Sequence, residues 1–239
     1  MQLFIYNFFA SNGFLQGFKE AFELNFISEN RYMFIINGLI TTIQITFFAI
    51  ILGIIIGFVL ALGKLSKYKL FNIISTVYVD IIRGTPAVVQ LLIIYYIIFG
   101  SVDISKIIVA VIAFGVNSGA YVAEIFRAGI LAVDKGQMEA GRSLGLSYGA
   151  TMRYIILPQA IKNILPALVN EFIVLLKETA IAGYIAIEDL TKGGDVIRSR
   201  TFDPYMPLLT VALIYLIITT MLSKLLSKLE RRLRQGDSH

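Results

Sequence analysis

Residues 139–158 read EAGRSLGLSYGATMRYIILP, a polar interruption in the middle of an otherwise strongly apolar chain. Asp134 can start a short helix ahead of it, and Gly145 can end that helix, because glycine adopts the left-handed backbone a helix terminus favours. Ser147 then caps a second short helix running toward Pro158. Met138, Leu144 and Leu146 supply small apolar knobs, while Glu139, Arg142 and Arg153 keep the segment out of lipid. Two readings fit this spacing: a docking element for another protein, or a solvated connection with ordinary caps.

The surroundings of this segment are those of a membrane protein. The chain is 57% hydrophobic and 15% charged, with a mean hydropathy of +0.77, outside the range of soluble domains. Uncharged runs approach or exceed the ~20 residues that cross a bilayer as a helix. There are no cysteines, and the single histidine is His239, so disulfides, thiolate or histidine metal clusters and histidine-based catalysis have no material to work with. No GxxxxGK[ST] or HExxH sequence occurs, so the chain has no phosphate-cradling loop of its own.

Outward from the loop, five spans are expected. The third, about 107–127, precedes it and carries Asn117, Tyr121 and Glu124 at i, i+4 and i+7, a polar stripe on one helical face. The fourth starts near Asn163 and carries Glu171, Lys177 and Glu178, and the fifth covers about 206–222. The first, 33–63, contains Ala49, Gly53, Gly57 and Ala61 at four-residue spacing, a stripe of the kind that lets two helices approach closely in lipid. This stripe suggests a homodimer. The second, about 70–99, is interrupted by Asp80, Arg83, Gly84, Thr85 and Pro86. Pro86 cannot donate to the Ile82 carbonyl, so a kink is expected, with Asp80 and Arg83 spaced to pair. Segment 1–32 places Phe14, Phe18, Phe22 and Phe26 on one face and reads as an interfacial amphipathic helix or a loop packed on the bundle. Segment 188–205 reads as a polar loop, and 224–239 as a basic tail following a transmembrane region of 33–223.

Basic residues fall unevenly about these spans. One side receives Lys64, Lys67, Lys69, Lys135, Arg142, Arg153, Lys162, Lys224, Lys228, Arg231, Arg232 and Arg234; the other receives Lys19, Arg31, Lys106, Lys192, Arg198 and Arg200. The richer side, with the 128–162 loop and the C-terminus, is expected in the cytoplasm, and the N-terminus outside.

Four sequence pieces occur in an order that resembles one family. Glu139-Ala140-Gly141 with Gly145 and Leu157-Pro158-Gln159-Ala160 resembles the EAA loop of ABC-importer permeases. Arg83-Gly84-Thr85-Pro86 with Gln90-Leu91-Leu92, Tyr121 to Arg127, and Lys177-Glu178-Thr179 resemble motifs of the polar amino-acid branch. Asn37-Gly38-Leu39 and Thr41-Thr42 resemble its opening pattern. The resemblance implies an all-α integral membrane protein of the type I ABC importer fold in a bacterial cytoplasmic (inner) membrane, importing polar amino acids by alternating access. It also implies a second permease copy, two ATPase subunits that carry ATP and Mg, and an extracytoplasmic amino-acid-binding protein. The chain itself is then no enzyme, holds no cofactor or metal and has no nucleic-acid role. Glu139, Ala140, Gly141, Arg142 and Gly145 become the ATPase-coupling loop. Gly141 departs from the alanine many relatives carry there, which suggests a looser first coupling helix.

The candidate solute pathway comprises Asn117, Tyr121, Glu124, Glu178, Arg83 and Gln90. Asn117 offers donors to a carboxylate, Glu124 or Glu178 accepts from an ammonium group, and Tyr121 offers a stacking face. At membrane depth Asp80, Glu124, Glu171 and Glu178 stand against Arg83, Arg127 and Lys177, a balance that favours a basic amino acid. Mutual neutralisation as structural pairs fits the same residues. A proton- or cation-coupled secondary transporter or channel built on Glu124 and Glu178 is the competing function.

Overall fold

The computed structural model describes residues 14–234, and every regular element within them is helical. Residues 1–13 and 235–239, which hold the start of the N-terminal segment and the end of the basic tail, lie outside the described residues. Helix α1 (Phe14–Phe22) continues into a wider turn, Glu23–Ile27, and α2 (Tyr32–Leu65) follows. Next come α3 (Lys69–Arg83) and α4 (Ala87–Ile93, with a wider turn to Ile98), then α5 (Lys106–Leu131). Two short helices, α6 (Lys135–Ser143) and α7 (Tyr148–Thr151), lead into α8 (Leu157–Glu178). The chain ends with α9 (Leu190–Thr201) and α10 (Tyr205–Arg234).

The centre of the bundle is the α2–α5 pair, the most extensive helix contact in the chain. The small-residue stripe of α2 makes this contact. A Cβ on Gly53 would meet Ser118 Cβ at 3.0 Å, and one on Gly57 would meet Val122 Cβ at 2.6 Å. Gly115 and Gly119 of α5 answer by receiving Leu52 and Ile56. The stripe is therefore consumed inside the chain and leaves no such face for a second copy. Because residue number rises together along the two contacts, the helices run parallel. Ile45, Ala49, Val109, Ala113 and Phe114 close the core around them.

Among the described residues, three helices are long and apolar enough to cross a membrane: α2, α5 and α10 as far as Arg232. The expected second span is broken more sharply than a kink, since α3 and the α4 segment meet at 105°. The expected fourth span, α8, is long enough but too polar to join that set. Gln159, Lys162, Asn163, Asn170, Glu171, Lys177 and Glu178 dilute its apolar face. Neighbouring protein replaces lipid around it, chiefly α5 and α10. Contacts of Gly129 with Ala160 and Ile164, and of Ser118 with Glu171, make α8 antiparallel to α5.

The segment read as a loop at 188–205 is mostly helix α9. Asp189 caps it, accepting from the backbone N–H groups of Thr191 and Lys192 at 3.0 Å each. Its two central glycines, which look like loop residues, instead permit close approach to the Phe34 backbone and to Val211. Lys192 and Arg198 bond Asp195 at 2.8 and 2.6 Å and hold its carboxyl below the ordinary range. At the same end of the bundle, Asn25 donates to Asp203 at 2.7 Å and accepts from Thr201 at 2.9 Å, tying the turn after α1 to the α9–α10 junction. Phe26 is buried there while Phe18 and Phe22 are exposed, so the expected phenylalanine face divides between core and surroundings.

Helix α10 passes the expected boundary at 223/224 without a break. The α9 end holds the start of α2 and the start of α10. The opposite end holds the ends of α2 and α5, together with α6 and α7.

Candidate functional site: a cleft between α5 and α8 and the paired short helices at its end

An open cleft of about 640 Å³ lies between α5 and α8, closed on one side by the end of α3. Arg83 and Tyr121 meet in it, with the guanidinium carbon 5.3 Å from the ring centroid. Arg83 makes this stacking contact and no ion pair with Asp80, which is exposed. Glu124 also lines the cleft, but its carboxylate is already engaged twice. Lys64 Nζ lies 2.6 Å from one oxygen and the Arg127 guanidinium 2.8 Å from the other. Lys64 thus reaches back from the end of α2 into the bundle, with its side chain only 13% exposed.

The other expected pathway residues are placed around this cleft. Gln90 and Asn117 lie behind it, joined by an Asn117 Nδ2 to Gln90 Oε1 bond of 2.9 Å. The Gln90 amide turns its nitrogen toward the break, donating to the Ile82 carbonyl at 2.7 Å and to Thr85 Oγ1 at 2.7 Å. The Ile82 carbonyl is the acceptor that Pro86 cannot serve, so a side chain four residues later replaces the missing backbone bond. Glu178 ends α8, seven residues beyond Glu171 and so roughly 10 Å along the axis, and does not line the cleft.

Three polar lining residues escaped the sequence reading as pathway candidates: Asn163, Asn170 and Glu171. Asn163 and Asn170 are i, i+7 with Ala167 between them, the same stripe pattern that singled out α5. Glu171 is buried and accepts from Ser118 Oγ at 2.8 Å.

At the end of the cleft the loop is built as its sequence specifies. Asp134 accepts from the Gly136 N–H at 2.7 Å and Ser147 from the Ala150 N–H at 3.2 Å, capping α6 and α7. Gly145 has φ 84°. Its N–H donates to the Arg142 carbonyl and the Leu146 N–H to the Gly141 carbonyl, a pair of bonds that closes the helix end. Gly141 has a specific packing reason that the expectation of a looser helix missed. A Cβ there would meet Thr151 Cγ2 at 2.5 Å, so its absence seats α6 directly on α7. Met138 packs inward with Val133, Ile155 and Ile156. Glu139, Ala140, Arg142 and Gly145 face outward, accompanied by Leu144, Tyr148 and Tyr154, all strongly exposed.

This arrangement has known counterparts. Residues 49–235 match the family model described as the binding-protein-dependent transport system inner membrane component. The chain belongs to this family. Among permeases of the same family type, the arginine transport system permease protein ArtQ of Bacillus subtilis (strain 168) is 42% identical over 209 residues, covering 85% of this chain and 94% of that protein. The glutamine transport system permease protein GlnP of Escherichia coli (strain K12) is 37% identical over 203 residues, with 84% and 93% covered. A crystal structure of an amino acid ABC transporter with histidines superposes with a TM-score of 0.81 at 50% identity, covering 87% of this chain and 98% of that one. The inward-facing MetNI methionine ABC transporter shares the fold, with a TM-score of 0.68 at 18% identity. The chain is accordingly a multi-pass inner membrane transport permease with the type I ABC importer fold.

Proposed function

We infer that this permease forms the pathway for ATP-driven import of amino acids, coupled through α6 and α7 to a separate ATPase subunit that carries ATP and Mg. The carrying observation is the outward face of the capped α6–α7 pair. It presents Leu144, Tyr148 and Tyr154 with Glu139 and Arg142, on a base held to the bundle by its own small core. Exposed apolar side chains rimmed by charge suit a protein partner, and the amino-acid permeases at about 40% identity supply the transport class. A second copy completing the pathway and an extracytoplasmic binding protein delivering the solute belong to the same reading. The cleft offers Arg83 to a carboxylate and Asn163, Asn170 and Glu171 to an ammonium group. The double pairing of Glu124 argues against that residue as the acceptor and weakens the case from charge balance for a basic solute. It also deprives the ion-coupled alternative of one of its two carboxylates.

Reconstitution into proteoliposomes with the cognate ATPase and binding protein tests this reading. Labelled arginine, glutamine and cystine should enter only with ATP, and omission of the ATPase should abolish entry. Uptake driven by a proton or sodium gradient without the ATPase would replace this function with ion-coupled transport.

A further inference from the structure

Helix α10 carries an exposed face whose chemistry is graded along its length. Its exposed face runs Leu209, Leu213, Leu216, Thr220, then Ser223 and Lys224, Ser227 and Arg231, at successive three- and four-residue steps. The upper part is apolar, the middle carries hydroxyls and the lower part is cationic. Thr220, Ser223, Lys224, Ser227, Lys228 and Arg231, all on this one helix, border a shallow open groove of about 670 Å³ along its surface. Among the described residues none of these three cations makes an ion pair.

The depth of the groove agrees with its chemistry. At 1.5 Å per residue, Tyr205 to Lys224 measures about 28 Å, close to the ~30 Å hydrocarbon thickness of a bilayer. Lys224 therefore lies where hydrocarbon ends, and Lys228 and Arg231 lie at headgroup level and just beyond. The apolar, hydroxyl and cationic parts match in order the acyl chains, glycerol region and phosphate of a lipid. We propose that the exposed face of α10 is a binding site for an anionic phospholipid, with the acyl chains along Leu209, Leu213 and Leu216 and the phosphodiester held by Lys224, Lys228 and Arg231. Basic residues immediately outside a span attract anionic lipid in this way. This site holds for either orientation of the chain.

Native mass spectrometry of the full-length chain in mild detergent, titrated with phosphatidylglycerol or with phosphatidylcholine of the same acyl chains, tests the site. The unaltered chain should retain phosphatidylglycerol about tenfold better. The triple variant K224Q/K228Q/R231Q should lose that preference, and K67Q/K69Q, at the same end of the bundle, should keep it. Equal retention of the two lipids by the unaltered chain overturns the proposal without any variant. Equal loss in K67Q/K69Q would reduce the effect to net charge and overturn the site. Millimolar inorganic phosphate or glycerol 3-phosphate should leave the lipid bound; displacement by either would assign a soluble anion instead. A Thr220→Cys disulfide joining two copies and persisting with added phosphatidylglycerol would place a second chain on the stripe and exclude the lipid.

Discussion

Glu124 sets one negative charge against two cations, Lys64 at 2.6 Å and Arg127 at 2.8 Å. Removing one partner of a poorly solvated ion group leaves the others uncompensated, which is far more costly than the pair is stabilising. Glu124→Gln should therefore destabilise the chain by about 3 kcal/mol. Lys64→Gln, which leaves the Arg127 pair intact, should cost about 1 kcal/mol. Thermal unfolding in detergent measures both, and equal losses would contradict this arrangement. Since the carboxylate is already engaged, uptake of arginine and glutamine should fall together in Glu124→Gln. Gln90 makes a second residue-scale test. Its buried amide serves the Ile82 carbonyl and accepts from Asn117, so Gln90→Leu strands both and should cost about 2 kcal/mol in the same assay. A variant as stable as the parent would show that water satisfies the break.

Helix α6 is decided by its end. Gly145 sits at φ 84° with no atom within 4 Å of the place a Cβ would occupy. A side chain there meets no clash, so the only cost within the chain is the left-handed backbone, about 1–2 kcal/mol for most residues. Gly145→Ala should weaken the helix end by about 1 kcal/mol, and Gly145→Asn by less, because asparagine tolerates this conformation. Hydrogen exchange of the Gly145 and Leu146 amides reads the difference. ATP-dependent uptake should follow the same order, glycine above asparagine above alanine. Uptake unchanged across the series would separate the helix end from coupling.

For the whole molecule, the parallel α2–α5 pair brings the ends of α2 and α5 and the α6–α7 unit to one end of the bundle, and α9 lies at the other. The two sets of basic residues therefore lie at opposite ends of the bundle, and the positive-inside rule predicts that the α6–α7 end is cytoplasmic. Single cysteines in this cysteine-free chain test it at two exposed positions, Ser199 and Lys67. In intact cells a membrane-impermeant thiol reagent should label Ser199→Cys and spare Lys67→Cys until the membrane is opened. The reverse pattern would invert the molecule.

The sequence by itself determined whatever depends on near neighbours along the chain. The caps at Asp134 and Ser147, the glycine end at 145, the break before Pro86 and the long apolar helices are local consequences of side-chain reach and backbone freedom. The order of short motifs was equally legible, and with it the family. Only the tertiary structure decided which faces meet. The stripe of Ala49, Gly53, Gly57 and Ala61 marks a close helix contact, but periodicity carries no information about the partner, which is α5 of the same chain. The stripe on α5 likewise showed that Asn117, Tyr121 and Glu124 share a face, not that they answer to Gln90, Arg83 and Lys64. The Gly193-Gly194 pair looked like a loop because glycine weakens an isolated helix. In the fold that helix is held by Asp189 and by close packing on α2 and α10, a gain that exists only once those elements are in place.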